Sequence, residues 1–422
     1  MMDVSPIALP CLLCAVVLHG TGAVAEDVPM ASQGGNLVFL ERFNDGLSAW
    51  KVAAPGGTAK IVVQDFNNKL QLTATEGSAS SATRTFAEPE ERWILEYDEQ
   101  IGADGNICIM ELLGKDEQVI ATVAHGTRPG ELTFRADQGE PATAAWPAGK
   151  RKQVVVRVDR ASRRISTWIS EDNHTYGSLS PIGADQPYSG SPVSAVRFRT
   201  ASAAARVQID EVKVFTPNFF LIGDSISDGK PRWSTHPEYP ERLAKNHDET
   251  SSPSYQLSQK FKNEWVANRG FGGSTLGGVA SKIESVAIRQ GAKGIILHAG
   301  HNDIYPGKAT LASLQKQMDS LIEKLQRAGL QGRGIILCSV SPSAAIDTPA
   351  EQETREAYNA WLQARAREIG ATFADVASAV RDQEDPGKLN RAYDVGDGVH
   401  FGASGSGVIA GTIFQAMSEA RQ

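Results

Sequence analysis

The sequence predicts two domains of different class: an antiparallel β-sandwich, followed by a three-layer α/β/α domain on a parallel sheet. Three observations carry this. The chain has 422 residues, more than a single small core usually serves. Up to Phe215, apolar residues alternate with polar ones in short runs separated by turn clusters. Beyond Thr216-Pro217, continuous apolar runs alternate with helical stripes. The composition, 41% hydrophobic and 22% charged, excludes a disordered, collagen-like or coiled-coil chain. With 42 Lys+Arg against 49 Asp+Glu the net charge is −7, and no basic run is long enough to attract nucleic acid.

The first element is an export signal over residues 1–25. Its apolar stretch, Ile7 to Leu18, is too short to span a bilayer, and Ala23-Val24-Ala25 is a small-x-small cleavage pattern. Its start carries Asp3 and no Lys or Arg. Pro10 and Leu13 precede Cys11 and Cys14 where a lipid anchor wants a small residue. The chain is therefore expected to be exported, secreted or periplasmic, with no transmembrane segment.

Residues 26–216 form the sandwich. Trp93, Leu95 and Tyr97 alternate with Ile94, Glu96 and Asp98, and Val196, Phe198 and Thr200 with Arg197 and Arg199. Val154-Val155-Val156 and Ile165 to Ile169 are further strands, with Arg160, Arg163 and Arg164 in a solvated turn between them. Roughly ten to twelve strands fit at the usual spacing. Trp93 and Trp168 are expected in the sandwich core. Cys108 and Cys338 lie in apolar runs and read as free buried thiols.

Residues 217–422 form the second domain. Phe219–Ile222, Ile295–Leu297 and Ile335–Leu337 suit strands buried on both faces, and Glu264–Ala267 is a further strand. Leu311, Leu314, Met318, Leu321, Ile322 and Leu325 make one helical stripe that Gly329 caps. Tyr358, Leu362 and Ile369 mark another helix, and Ser404 to Gln422 the last.

Four polar pieces follow these strands. Gly223-Asp224-Ser225 closes the first, where a serine at a helix start can present its hydroxyl in a cleft. Asn268 to Thr275 is a glycine-rich turn that fits neither dinucleotide nor Walker patterns. Gly300-His301-Asn302-Asp303 offers a carboxamide to an oxyanion, or an Asx turn. Asp397-Gly398-Val399-His400 spaces an acid three residues from an imidazole it can orient. His298 and His301 are the nearest additional histidines, and they complete no metal-ligand pattern.

In this order the four pieces resemble the blocks of the SGNH hydrolases, the GDSL esterases and lipases, over roughly residues 218–422. The resemblance implies Ser225 as nucleophile, His400 as general base and Asp397 as its orienting acid. It implies an oxyanion hole from the Ser225 and Gly273 amides and the Asn302 side chain, with Asp224 and Asp303 as supporting residues and no cofactor. The insert from about Asp228 to Pro253 is long for the family, and its Trp233 and Tyr239, with Tyr305, are candidate pocket residues.

Residues 39–47 and 208–214 resemble the outer strands of concanavalin-like or jelly-roll sandwiches, which often bind glycans. Asp45, Asp210 and Glu211 are the residues a structural calcium would use, against the simpler reading of surface carboxylates. Trp50, Trp93, Trp146 and Trp168 are the aromatics available to stack on sugar. An exported esterase beside such a sandwich points to an acylated, most simply acetylated, carbohydrate as substrate. Transfer of the acyl group to a sugar, or glycan binding by an inert domain, stay open alternatives. Oligomeric state is not read from the sequence.

Overall fold

The structure, a computed structural model, describes residues 36–421 except 56, 65–66, 75–78, 102–107, 126–129, 147–150, 171–178, 201–205, 230–250, 262–263, 306 and 308. The signal segment, Cys11, Cys14, Trp233 and Tyr239 lie outside the described residues.

Two antiparallel sheets form the first half. One runs β13 (Leu179–Pro181), β12 (Arg164–Ser170), β11 (Arg151–Asp159), β6 (Arg92–Ile101), β16 (Arg206–Phe215), β4 (Asn67–Thr73), β3 (Thr58–Gln64). In the same sheet β1 (Leu37–Glu41) pairs with β16 and β14 (Gln186–Pro187) with β12. The other runs β10 (Ala142–Ala145), β9 (Glu131–Ala136), β8 (Val119–His125), β7 (Cys108–Leu113), β15 (Ala195–Thr200), β5 (Ser81–Thr85), β2 (Lys51–Ala53). The strands are more numerous than the roughly ten to twelve expected, because several are only two to four residues long and leave little pattern. Trp93, Leu95, Tyr97, Val154, Val156, Ile165, Met110 and Phe198 meet between the sheets. Cys108 and Cys338 are free and buried.

The other face of the first sheet is buried too. Ile94, Val155, Trp168, Leu179 and Phe215 share one core with Phe220, Trp265, Val286 and Ile295 of the second half. Trp168 is therefore buried as expected but not in the sandwich core: period-two alternation turns it to the opposite face from Ile165 and Ile169. Trp50, Trp93, Trp146 and Trp168 are at most 5% exposed, so none is a platform for sugar. Asp45 is exposed whereas Asp210 and Glu211 are buried, so the latter two are not surface carboxylates. Glu211 sits at a bulge of β16 with φ 48°. Among the described residues no group of three or more His, Cys, Asp or Glu is disposed to hold a metal ion.

The second half is a parallel sheet in the order β18 (Val266–Gly270), β17 (Phe219–Gly223), β19 (Gly294–His298), β20 (Ile335–Cys338), β21 (Thr372–Ala374). The helices are α1 (Ser225–Asp228), α2 (Pro253–Lys260), α3 (Leu276–Ile283), α4 (His301–Ile304), α5 (Leu311–Arg327), α6 (Pro349–Glu368), α7 (Val376–Val380) and α8 (Ala403–Arg421). One sheet face packs on Val279, Leu314, Met318, Leu321 and Leu362 of α3, α5 and α6. The other packs on Leu257, Ile409, Ile413 and Met417 of α2 and α8. These are the three layers. Gly329, at φ 90°, follows α5 as its stripe implied. No helix among the described residues is long and apolar enough to cross a membrane.

Several polar connections tie the halves. Asn36 donates through Nδ2 to the carbonyls of Thr216 (2.8 Å) and Trp265 (3.1 Å) and accepts from the Trp265 amide. Arg269 on β18 pairs with Glu96 on β6, both 1% exposed, and its remaining donors reach Val286 O (3.0 Å), Asn268 O (2.7 Å) and Gln290 Oε1 (2.8 Å).

Candidate active site

The strand order reverses at β17, and clefts in open α/β sheets form at the carboxyl ends beside such a reversal. Ser225 follows β17 there. Gly223 lets it, because a Cβ at Gly223 would stand 1.9 Å from the His298 carbonyl of β19. Asp224 caps α1 by accepting from Ile226 N at 2.9 Å, which fixes the first turn and leaves Ser225 half-buried. Ser227 Oγ donates to His298 O at 2.9 Å, locking that turn to the sheet.

His400 arrives on the loop before α8. Asp397 Oδ1 accepts from the amides of Val399 (2.9 Å) and His400 (2.8 Å), so the acid shapes its own turn. Its Oδ2 lies 2.7 Å from His400 Nδ1, and His400 Nε2 lies 2.9 Å from Ser225 Oγ. An ionised carboxylate only accepts, so the imidazole proton sits on Nδ1 and Nε2 accepts from the serine hydroxyl. Asp394, a loop residue without a sequence signal, holds this loop through the amides of Gly396 (2.8 Å) and Gly398 (2.9 Å).

Charge around the imidazole is uneven. Burial disfavours the His400 cation. The bond to Asp397 and the carboxylates of Asp397, Asp224 and Asp228 outweigh that, and its pKa is raised. Burial likewise works against the Asp397 carboxylate, but its bonds and attraction to His400 and its two amides hold it below the usual range. Burial pushes Asp224 up to about 7, against the Ile226 amide and His400, which favour its anion.

Glycine and asparagine come from the neighbouring strands. β18 runs on to Gly270, further than Glu264–Ala267, because Asn268 and Arg269 are buried and bonded in place. Asn268 Nδ2 donates to Asp228 O (2.9 Å) and Phe271 N to Gly223 O (3.0 Å), setting the second turn against the first. Gly273 has φ 72°, with nothing within 4 Å of the position a Cβ would take. Glycine is required there for backbone reasons, and the space beside it is open. Asn302 Nδ2 donates to Ser274 O at 3.0 Å, joining the third piece to the second. Asp303 Oδ2 accepts from Leu276 N at 2.8 Å, and Thr275 caps α3. Asp224 and Asp303 thus each hold a backbone amide.

His301 is buried and lies 2.7 Å from Ser343 Oγ, a residue with no distinguishing sequence signal. Burial drives both His298 and His301 down to about 4, so both are neutral. Tyr305, 47% exposed, follows α4 directly.

The acid, imidazole and hydroxyl thus stand in one hydrogen-bonded row, and comparison with known proteins bears on the domain that carries them. Residues 221–408 match the model of the GDSL-like Lipase/Acylhydrolase family. Residues 221–408 are thus a GDSL-like lipase/acylhydrolase domain. No curated protein matches the chain. Similar solved structures include a GDSL-like lipase from Bacteroides thetaiotaomicron, 22% identical, covering 49% of this chain and 89% of its own at TM-score 0.35. An acetyl-xylooligosaccharide esterase variant from Geobacillus is 20% identical over 48% of this chain and 94% of its own, at TM-score 0.37. A sialidase is 15% identical over 43% of this chain at TM-score 0.35, and the match spans only 18% of the sialidase.

Proposed function

We propose that the chain is an exported serine esterase that removes short acyl groups, acetyl above all, from carbohydrate. The observation that carries the reading is the continuous relay from Asp397 through His400 to Ser225, at 2.7 and 2.9 Å. In this reading His400 takes the Ser225 proton as Oγ bonds the ester carbonyl carbon. The tetrahedral oxyanion rests on the amides of Ser225 and Gly273 and on the second N–H of Asn302, the first being used on Ser274. Collapse breaks the bond to the sugar oxygen, which leaves with the proton from His400. Water then loses its proton to His400 as it attacks the acyl-enzyme; the acid departs and Ser225 regains its proton. Asp397 stabilises the imidazolium in both halves.

The groups around His400 are polar: Ser225 at its Nε2, with the carboxyls of Asp397, Asp224 and Asp228 acting on the ring. Such a setting suits a small acyl group on a hydroxyl-rich alcohol better than a long apolar chain. Residues 1–25 supply the export.

The test uses the full chain on 4-nitrophenyl acetate and on O-acetylated polysaccharides, scoring acetate release. Ser225→Ala is expected to fall to the uncatalysed rate with an unchanged circular dichroism spectrum; equal rates in both proteins would exclude the relay. Asn302→Ala is expected to lose about 10²–10³ in kcat, the usual scale for one oxyanion donor. A loss below threefold would remove Asn302 from the hole.

A further inference from the structure

Two of the four polar pieces are tied together by a fifth stretch of chain, Ser339 to Ile346, which leaves the carboxyl end of β20. At its middle, Ser343 Oγ lies 2.7 Å from Nε2 of His301, the residue beside Asn302 in α4. One residue on, Ala344 N donates to Gly398 O at 2.8 Å, inside the turn that carries His400. The approach there is close: Gly398 has φ 74°, and a Cβ on it would stand 2.6 Å from Ala344 Cβ. The stretch therefore meets the asparagine piece with a side chain and the histidine piece with its backbone.

The stretch is itself fixed. Ser339 N donates to Ala374 O at 3.1 Å. Ser339 Oγ donates to Asp375 Oδ1 (3.0 Å) and accepts from Ala377 N (2.8 Å). Asn359 on α6 accepts from Val340 N at 2.7 Å and donates through Nδ2 to Val340 O at 3.0 Å. Ile346 N returns to Ser343 O at 3.2 Å. Ser339, Ser341 and Ser343 are all buried. A segment bonded to β21, α6 and α7 in this way can lock the groups it touches.

His301 is where that rigidity reaches chemistry. Its ring is buried and neutral, so one nitrogen donates and the other accepts. The role that the Ser343 hydroxyl takes at Nε2 therefore sets the role of Nδ1. Burial and then the charge of His400 bring the His301 pKa to about 4, while hydrogen bonding with the Asn302 side chain works against them. A cation at this ring would oppose the imidazolium that His400 forms in each half of the reaction. Asn302 spends one N–H on Ser274 O at 3.0 Å, and its second N–H is the one the oxyanion needs.

We propose that Ser343 is a positioning residue for the reaction: it fixes the tautomer and placement of His301, and through His301 it holds the Asn302 carboxamide on the oxyanion. The proposal rests on the esterase reading and deepens it, and Ser343 itself touches no reacting atom.

The experiment is a double-mutant cycle of Ser343→Ala and Asn302→Ala in the full chain, read as 4-nitrophenyl acetate hydrolysis above the Ser225→Ala blank. Ser343→Ala alone is expected to lower kcat about tenfold with KM changed less than about threefold, inside the 10²-fold or so that a misplaced group can cost. Added to Asn302→Ala, it is expected to lower kcat by less than about twofold, because the group it positions is gone. Ser343→Ala combined with His301→Leu removes both partners of the buried bond and leaves neither unpaired. That pair is expected to show the same dependence on Asn302, and circular dichroism controls the fold. Equal factors in both backgrounds would mean that Ser343 supports the fold alone and would overturn the proposal. A loss below about twofold from Ser343→Ala alone would overturn it as well. Failure of the esterase reading is distinct: the unsubstituted chain would not hydrolyse the ester, and the proposal would fall with it.

Discussion

At the scale of the residue, the site is governed by three carboxylates around one imidazole. His400 must be neutral at Nε2 to accept a proton, and its pKa is raised despite burial by Asp397, Asp224 and Asp228. kcat/KM is therefore expected to rise with pH through a limb above the ordinary imidazole value of about 6.5. Asp224 is itself pushed up to about 7 by burial, so it acquires charge in the same window, holds the imidazolium as it does so and broadens the limb toward higher pH. Asp224→Asn keeps an oxygen for the Ile226 amide but removes that charge. The limb is expected to move to lower pH, read from the pH profile of 4-nitrophenyl acetate hydrolysis. A limb that stays or moves upward would mean that Asp224 is not sensed by His400. The row of Asp397, His400 and Ser225 was legible because each piece is contiguous: Asp397 and His400 are three residues apart, and Ser225 follows its strand directly. Asp394 and Ser343 were not, since a loop aspartate or serine has no pattern until the chain folds against it.

At the scale of the element, the end of β19 stores an acid sensitivity. His298 and His301 are buried and neutral, with pKa values brought down to about 4 by burial. The unfolded imidazoles titrate at about 6.5, so the unfolded chain binds more protons between these values. Their contribution to stability is fully present above about 6.5 and is lost as pH falls toward about 4. Asp224 works the other way: with a folded pKa of about 7 against an unfolded value of about 3.9, it favours the folded state as pH falls. The two histidines are expected to outweigh it. His301→Gln, which retains a group able to meet Ser343, is expected to flatten the fall of Tm between pH 6.5 and 4. An unchanged slope in thermal melts would show that His301 is protonated without cost. Elements were read well where one periodicity ruled, as along Leu311 to Leu325. They were read short where it did not: Asn268-Arg269-Gly270 looks like a loop, yet buried bonds to Asp228 and Glu96 keep it in β18.

At the scale of the whole molecule, the sandwich and the hydrolase domain behave as one body because one face of a sheet is core to both. Val154-Val155-Val156 and Trp93-Ile94-Leu95 held sequence traces of this: three consecutive apolar residues leave no polar side, and the structure packs Val155 and Ile94 outward and their neighbours inward. The partner of Glu96 was illegible, since Arg269 lies 173 residues away. That pair is buried between the halves, with Lys213 Nζ 3.9 Å from the same carboxylate. The full chain is therefore expected to unfold in one calorimetric transition. Glu96→Gln takes the paired anion from the buried Arg269 guanidinium, a loss on the scale of about 3–5 kcal/mol. It is expected to lower the midpoint of that transition while keeping it single, because Ile94, Trp168 and Phe215 still cannot be exposed without also stripping Phe220 and Trp265. Two resolved transitions in either protein would mean that each half is stable alone and that the apolar seam between them contributes little.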